Sequence, residues 1–314
     1  MTVGIIKAGL FTTVQAGPRR ALRHLGVPSS GAADPLSLAL ANRLVGNAWD
    51  APALEMTMVA ATLQFNRRVA FGLAGAPAEA ILNGETVDFH RSITAQEGDI
   101  LSIGGIASGA RAYIAFAGGL RAPQILGSAS TYTTGGFGGF EGRALADGDE
   151  LGIEPAEPSG DVQTPVKFRA PAMKSWTLRT CESCETGLLS DETRTALFAG
   201  KWMASRRADR MGIQLTGPEL RVRSDGRMPS APVFPGTIQC TEGGVPYLLC
   251  AESGTTGGYP RIAQVVRCDR HLLGQVRPGD SVHLLQRDVA TANRELREKI
   301  TYWQEWLPDI REIL

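Results

Sequence analysis

Apolar runs in this chain are short, and its glycines cluster at the turns between them. A chain built this way folds into many short strands more readily than into long helices. There are 37 glycines among the 314 residues. Phe71–Gly75 is one such run, and Ala80-Ile-Leu-Asn83-Gly84-Glu-Thr-Val-Asp-Phe predicts a β-hairpin closed by Asn-Gly. Gln96-Glu-Gly98-Asp99 turns the chain before a strand at Ile100–Ile103, and Arg111–Ala117 reads as a buried strand. In the second half, strands are expected at Ser175–Thr180 and near Ile213–Leu215, Gly236–Gln239, Tyr247–Cys250, Ala263–Cys268 and Ser281–Leu284. Arg277-Pro-Gly279-Asp280 echoes the earlier Gly98-Asp99 turn, which suggests that the two halves share an architecture.

Length predicts two domains. A Pro-rich stretch at 156–171 is the expected linker between residues 1–155 and 172–314, and the fold class is mainly β. Three helices are expected. The first follows Asp34 as N-cap and Pro35 as first helical residue, with Leu36, Leu40 and Leu44 on one inward face and Gly46-Asn47 as its stop. The second runs from the cap Ser190 to Gly200. The third closes the chain from Asp288 to Leu307, with Leu296, Ile300, Trp303 and Leu307 on one face and Pro308 ending it.

Composition removes several function classes. Net charge is zero and the pI is about 6.9, so neither nucleic acid nor an acidic membrane surface is an expected partner. No apolar run reaches the ~18 residues of a membrane span, and Met1–Lys7 lacks the form of a signal peptide. A cytoplasmic location is expected. Five cysteines do not suggest a disulfide framework. Cys181-Glu-Ser-Cys184 has no second pair to complete a zinc site, and Cys240, Cys250 and Cys268 fall in apolar strand patterns. No metal is expected. The chain carries no G-x-x-x-x-G-K-[ST], G-x-S-x-G or H-E-x-x-H motif, and no Met-Lys-Met for attachment of biotin.

Four stretches are candidates for function. In Gly26–Asn47 a Gly/Ser/Pro loop meets a helix start, so the N–H groups around Ser29, Ser30 and Gly31 could cradle an anion, or the junction is simply a loop–helix corner. Asp34 serves there as cap or as general base, with the cap preferred. Arg210, in Asp209-Arg-Met-Gly212, is placed to grip a carboxylate or phosphate, or to form an ordinary ion pair. Thr255-Thr256-Gly257-Gly258-Tyr259-Pro260-Arg261 is richer in polar groups than a turn requires, so a polar ligand is expected beside it. Gly127–Gly142 is a long glycine-rich loop of the kind that is functional or mobile.

Gly26–Asn47 resembles the signature of the biotin-dependent carboxyltransferase (allophanate hydrolase subunit 2) family. Further matches run in family order through Leu126–Thr131, Gly139–Leu145 with Gly148-Asp149, Arg210–Gly212 with Gly217-Pro218, Pro235–Gln239 and Thr255–Pro260. The family includes the C subunit of bacterial ATP-dependent 5-oxoprolinase, the KipA proteins and part of the carboxyltransferase region of urea carboxylase. The resemblance implies two cyclophilin-like β-barrel domains. It also implies a KipI-like (allophanate hydrolase subunit 1) partner chain and, in oxoprolinase, a LamB/YcsF-like subunit. The substrate would be a small amide or lactam. ATP would act at the level of the complex or, alternatively, carboxybiotin on a partner would; a third alternative is KipA-like regulation without catalysis. Ser29–Asp34 and Thr255–Arg261 would then form two walls of one pocket, with Asp34, Arg210 and Arg261 as the groups acting on the carbonyl. The sequence departs from the family at Val14-Gln15-Ala16-Gly-Pro-Arg19, in the glycine-rich Thr131–Phe137 loop, and at Arg261, where many relatives carry Lys.

Overall fold

The structure is a computed structural model that describes residues 1–156, 160–170, 173–223 and 228–314. Its chain forms two compact units. The first contains Met1–Arg19, Ser30–Ala172 and Trp303–Ile313; the second contains Arg20–Ser29, Met173–Tyr302 and Leu314. The main division thus falls at the end of the expected linker. Two exchanges were not foreseen: residues 20–29 belong to the second unit, and the end of the chain belongs to the first. The expected linker is not free of the first unit either. Thr164 N donates to the His90 carbonyl (2.9 Å) and Ser92 N to that of Val162 (2.8 Å), while residues 157–159 and 171–172 lie outside the described ones.

In the first unit, a six-stranded and a five-stranded sheet enclose one apolar core. Val3, Leu63 and Leu101 come from the larger sheet, and Leu54, Phe71 and Ile114 from the smaller. Among the described residues the second unit holds a closed seven-stranded barrel, in which Ser175–Glu182 runs parallel to Ser281–Gln286 and the other pairings are antiparallel. Its core includes Trp176, Trp202, Ile213, Ile238 and Leu248. The expected β architecture is therefore present in both halves, with full closure in the second.

Turn chemistry explains much of this. Asn83 and Gly84 have φ of +49° and +88°, and join Ala80–Leu82 to Glu85–Thr86 as the Asn-Gly pair predicts. Among the described residues, the Gly-Asp turn occurs three times with the same internal bond. The carboxylates of Asp99, Asp149 and Asp280 accept from the N–H groups of Gln96 (2.7 Å), Ala146 (2.7 Å) and Arg277 (3.1 Å). The shared device is thus local chemistry, reused before a strand in each half.

Helix α1 spans Pro35–Leu44, and its end follows expectation. Gly46 has φ +74°, and Asn47 N donates to the Asn42 carbonyl (3.0 Å), closing a left-handed cap. Its burial differs from a single inward face: Leu38, Ala39, Ala41 and Asn42 are buried as well as Leu36, Leu40 and Leu44. A helix apolar almost all round sits within a core rather than on a surface. It lies so close to Val69–Gly75 that a Cβ on Gly72 would fall 2.6 Å from Leu44 Cβ. Helix α2 spans Asp191–Ala199 between Ser190 and Gly200 as predicted. The expected closing helix ends earlier, as α3 (Val289–Gln304), and is followed by the short α4 (Ile310–Ile313). Of the predicted face of α3, Trp303 is buried, in the segment that belongs to the first unit.

Among the described residues, no helix is long and apolar enough to cross a membrane. The glycine-rich loop is tied down. Arg19 is buried, donates through Nε to the Ile125 carbonyl (3.1 Å) and through Nη2 to that of Ser130 (2.5 Å), and lies over the Phe137 ring. The departure from the family pattern at Val14–Arg19 thus coincides with the segment that holds this loop.

Candidate functional site

At the start of α1 the structure answers the question left open by the sequence. Asp34 caps the helix: its carboxylate accepts from Ser37 N (3.1 Å) and from the Ser37 hydroxyl (2.5 Å). Two N–H groups at the helix start are engaged within the protein. Ala33 N donates to Glu55 Oε2 (2.8 Å), and Asp34 N donates to the Tyr113 hydroxyl (2.9 Å), which itself donates to Glu55 Oε2 (2.7 Å). Arg111 Nε stands 3.3 Å from Glu55 Oε1. A buried carboxylate of the protein thus occupies the helix start, and the four side chains Asp34, Glu55, Arg111 and Tyr113 are all buried. Burial, together with the charges of Glu55 and Asp34, pushes the Tyr113 phenol well above its ordinary range, so it acts as a neutral donor. Ser30 is the exception in this corner. It is 4% exposed with φ +49°, and its Oγ has no hydrogen-bond partner. Ser29 is half-buried and Gly31, with φ +84°, packs against Pro18.

In the second unit, Arg261 is held in place from two sides. Its Nε and Nη2 meet Glu185 Oε2 (2.7 Å) and Oε1 (2.5 Å), and its Nη1 donates to the Pro232 carbonyl (2.9 Å). The guanidinium beside it holds the Glu185 carboxyl below the usual range. Thr256–Gly257 pairs with Ala231–Pro232 as a two-stranded ribbon, and Thr255 O accepts from Val233 N (3.1 Å). Gly257 is required by close approach, since a Cβ there would lie 2.5 Å from Gln239 Nε2. Gly258 and Tyr259 are exposed, Tyr259 by 49%.

Arg210 is 5% exposed, and its Nε lies 2.6 Å from Glu252 Oε1. This buried pair joins two turns. Glu252 N donates back to the Arg210 carbonyl (2.8 Å), and Cys250 N to that of Met211 (2.9 Å). Arg210 therefore fixes the Asp209–Gly212 turn to the segment that carries Ser253.

Those turns border a cavity of about 660 Å³, which also takes in Tyr259 from the sequence candidates. Its floor is the face of three neighbouring strands opposite the barrel core. Ile213, Ile238 and Leu248 point into that core, so Gly212, Gln239, Tyr247 and Leu249 alternate onto the other face. One margin is an irregularity in Trp202–Ala208, where pairing with Gly212–Thr216 jumps from Ala204 to Ala208 and brings out Arg206 and Arg207. Such bulges re-aim side chains at sheet margins and near sites. Sequence reasoning passed over Glu55, Tyr113, Glu185, Gln239, Glu252 and Ser253. A signal existed for some: Glu55 is an acid inside the apolar run Ala53-Leu-Glu-Met56, and Glu252-Ser253 is separated from the Thr255–Arg261 motif by Gly254 alone.

Among the described residues, no group of three or more His, Cys, Asp or Glu side chains is placed to hold a metal ion.

Comparison with known proteins fits this geometry to a family. The family described as carboxyltransferase domain, subdomain A and B, matches residues 25–286. The chain is 34% identical over 301 residues to the C subunit of 5-oxoprolinase from Escherichia coli (strain K12), covering 96% of each protein. It is 33% identical to urea amidolyase of Lachancea kluyveri, covering 94% of this chain but only 17% of that protein. The solved structure of the K. lactis urea amidolyase superimposes with a TM-score of 0.90 at 28% identity, over 95% of this chain and 20% of that one. With most of its length matched and the fold in agreement, the chain belongs to the carboxyltransferase domain family of subdomains A and B.

Proposed function

We propose that this chain is the C subunit of a 5-oxoprolinase-type complex, which opens 5-oxoproline to glutamate at the expense of ATP. The observation that carries this is the end-to-end match to the C subunit of the E. coli 5-oxoprolinase, 96% of both proteins, against the 17% of the urea amidolyase that the chain covers. In this reading the chain acts beside other chains. The partners in this reading are a KipI-like chain and a LamB/YcsF-like subunit.

The chemistry sets what such a subunit must do. A lactam is a poor electrophile, and transfer of the γ-phosphoryl group of ATP to its oxygen converts that oxygen into a leaving group. Water then adds to the carbonyl carbon, the ring C–N bond breaks with a proton going to nitrogen, and a second water releases phosphate. The chain carries no G-x-x-x-x-G-K-[ST] motif, and in this reading ATP acts at the level of the complex. What this chain contributes is a rigid, partly apolar surface that holds a small amide while negative charge develops on its oxygen.

A second reading, carboxyl transfer from carboxybiotin carried by a partner, is supported by the urea amidolyase match across 94% of this chain. One assay separates the two. The chain mixed with its cognate partners, ATP and 5-oxoproline should release glutamate, and omission of ATP or of this chain should abolish release. No glutamate from the complete mixture would refute the oxoprolinase reading, and carboxyl transfer from carboxybiotin by the same mixture would replace it.

A further inference from the structure

We propose that the cavity on the outer face of the second unit's barrel binds a small, flat cyclic amide or ureide that carries a carboxylate, with Ser253 and Gln239 reading the amide edge. Ser253 is 1% exposed, and its Oγ has no hydrogen-bond partner although it borders a cavity of about 660 Å³. Leaving a buried hydroxyl unpaired is costly. Such a group calls for a partner that is not part of the chain.

Gln239 supplies the other half of the pattern. Its Nε2 donates to the Tyr259 carbonyl (2.9 Å) and its amide packs against Gly257, so its orientation is set by the turn above it. That leaves Oε1 as an acceptor. A hydroxyl that can donate and a carboxamide oxygen that accepts match the C=O and N–H of one amide edge. The cavity falls in the size range of small-molecule pockets, roughly 300–1,000 Å³, and the Tyr247 ring gives it a flat wall beside the apolar Met211. Those walls suit a ring better than a flexible polar chain.

The charge at the mouth selects the tail. Arg206 and Arg207 are both exposed, and among the described residues neither forms an ion pair. Asp209 is the opposing charge, and its Oδ1 is already used, accepting from Met211 N (2.7 Å) and Gly212 N (3.0 Å). Two free guanidinium groups against one engaged carboxylate favour an anion. The buried Arg210–Glu252 pair holds the two margins together without lining the cavity, which makes Arg210 a positioning residue.

The choice of an amide ring rests on the functional reading above; the location and the part played by Ser253 do not. Two ligands share the chemistry, 5-oxoproline as a lactam and biotin as a ureide, and the test treats them as separate arms. Each is titrated into the full-length chain and into Ser253→Ala and Arg206→Ala/Arg207→Ala variants, with affinity read by calorimetry or ligand-observed NMR and folding checked by thermal melting. At least one probe should bind the natural chain. Ser253→Ala should weaken that probe about tenfold or more, a change of about 1.4 kcal/mol, with no fall in melting temperature. The double Arg variant should weaken the same probe but leave a neutral analogue without the carboxylate, 2-pyrrolidone or biotinamide, unaffected. Equal binding to the natural chain and to Ser253→Ala, or no binding of either probe, overturns the site. A Ser253→Ala chain that supports full 5-oxoproline turnover in the complex overturns the site and spares the oxoprolinase reading. Ser253-dependent binding of biotin with no glutamate from the complex spares the site and overturns that reading.

Discussion

The helix start at Asp34 and the cavity at Ser253 both take polar groups out of water, and they treat them in opposite ways. At Asp34, backbone donors, a phenol, a carboxylate and a guanidinium meet one another, and the N–H groups of Ala33 and Asp34 are taken up within the protein. At Ser253 the hydroxyl is buried beside open volume with nothing to bond. A corner that satisfies its own groups contributes stability, and one that leaves them open is arranged for a partner. Ala33 and Asp34, at the conspicuous helix start, thus have the geometry of a structural corner, whereas the inconspicuous Ser253 is the group proposed to bind.

The largest test of this contrast is Glu55→Ala. It strips Arg111, Tyr113 and the Ala33 N–H of their shared acceptor in a buried place, and should cost about 3–5 kcal/mol in urea unfolding. A loss below about 1 kcal/mol would mean that the junction is not held by this network.

Acid should act on a buried histidine of the first unit. Burial, reinforced by the nearby charge of Arg169, pushes the His90 imidazole down to about 4. Above pH 6.5 the ring is neutral in both folded and unfolded chains. Between pH 6.5 and about 4 the unfolded chain takes a proton that the folded one refuses. Stability therefore falls with pH across that window, by up to about 3 kcal/mol. His90→Asn, which suits the left-handed backbone at φ +65°, should flatten the part of the pH profile due to this residue. An unchanged pH slope in the variant would contradict the assignment.

Asp34→Ala comes next, with a loss of about 1 kcal/mol expected for an N-cap. Measured beside it, the Ser29→Ala/Ser30→Ala double variant sharpens the comparison. It should leave the ligand affinity of the cavity unchanged if the loop is only a corner. The smallest effect on stability belongs to Ser253→Ala. Removing an unpaired buried hydroxyl should change unfolding by less than about 1 kcal/mol, or raise stability slightly.

Much of the fold was legible because it is written in local chemistry. Asn83-Gly84, the Gly-Asp turns and the Ser190–Gly200 helix depend on residues within a few positions of one another, and all appear where their sequence places them. The boundaries of the two units were less legible, because membership of residues 20–29 and 303–313 is decided by packing partners far away in the chain. The same holds for the site. Asp34 reads as a cap from its neighbours, but that Glu55 fills the anion position follows only from the alignment of Ala53–Thr57 beside Arg111–Phe116, where Tyr113 faces Glu55. Likewise the sequence left open whether Arg210 grips a ligand or forms an ion pair and named no acid for Arg210 or Arg261; their acids, Glu252 and Glu185, lie 42 and 76 residues away.

The most direct measurement sets Asp34→Ala against Ser253→Ala, each assayed for unfolding free energy and for binding of 5-oxoproline and of biotin. Asp34→Ala should lose stability and keep the affinity of the natural chain, whereas Ser253→Ala should keep stability and lose affinity. The reverse, with affinity lost at Asp34 and unaffected at Ser253, would contradict the division of labour between the two regions.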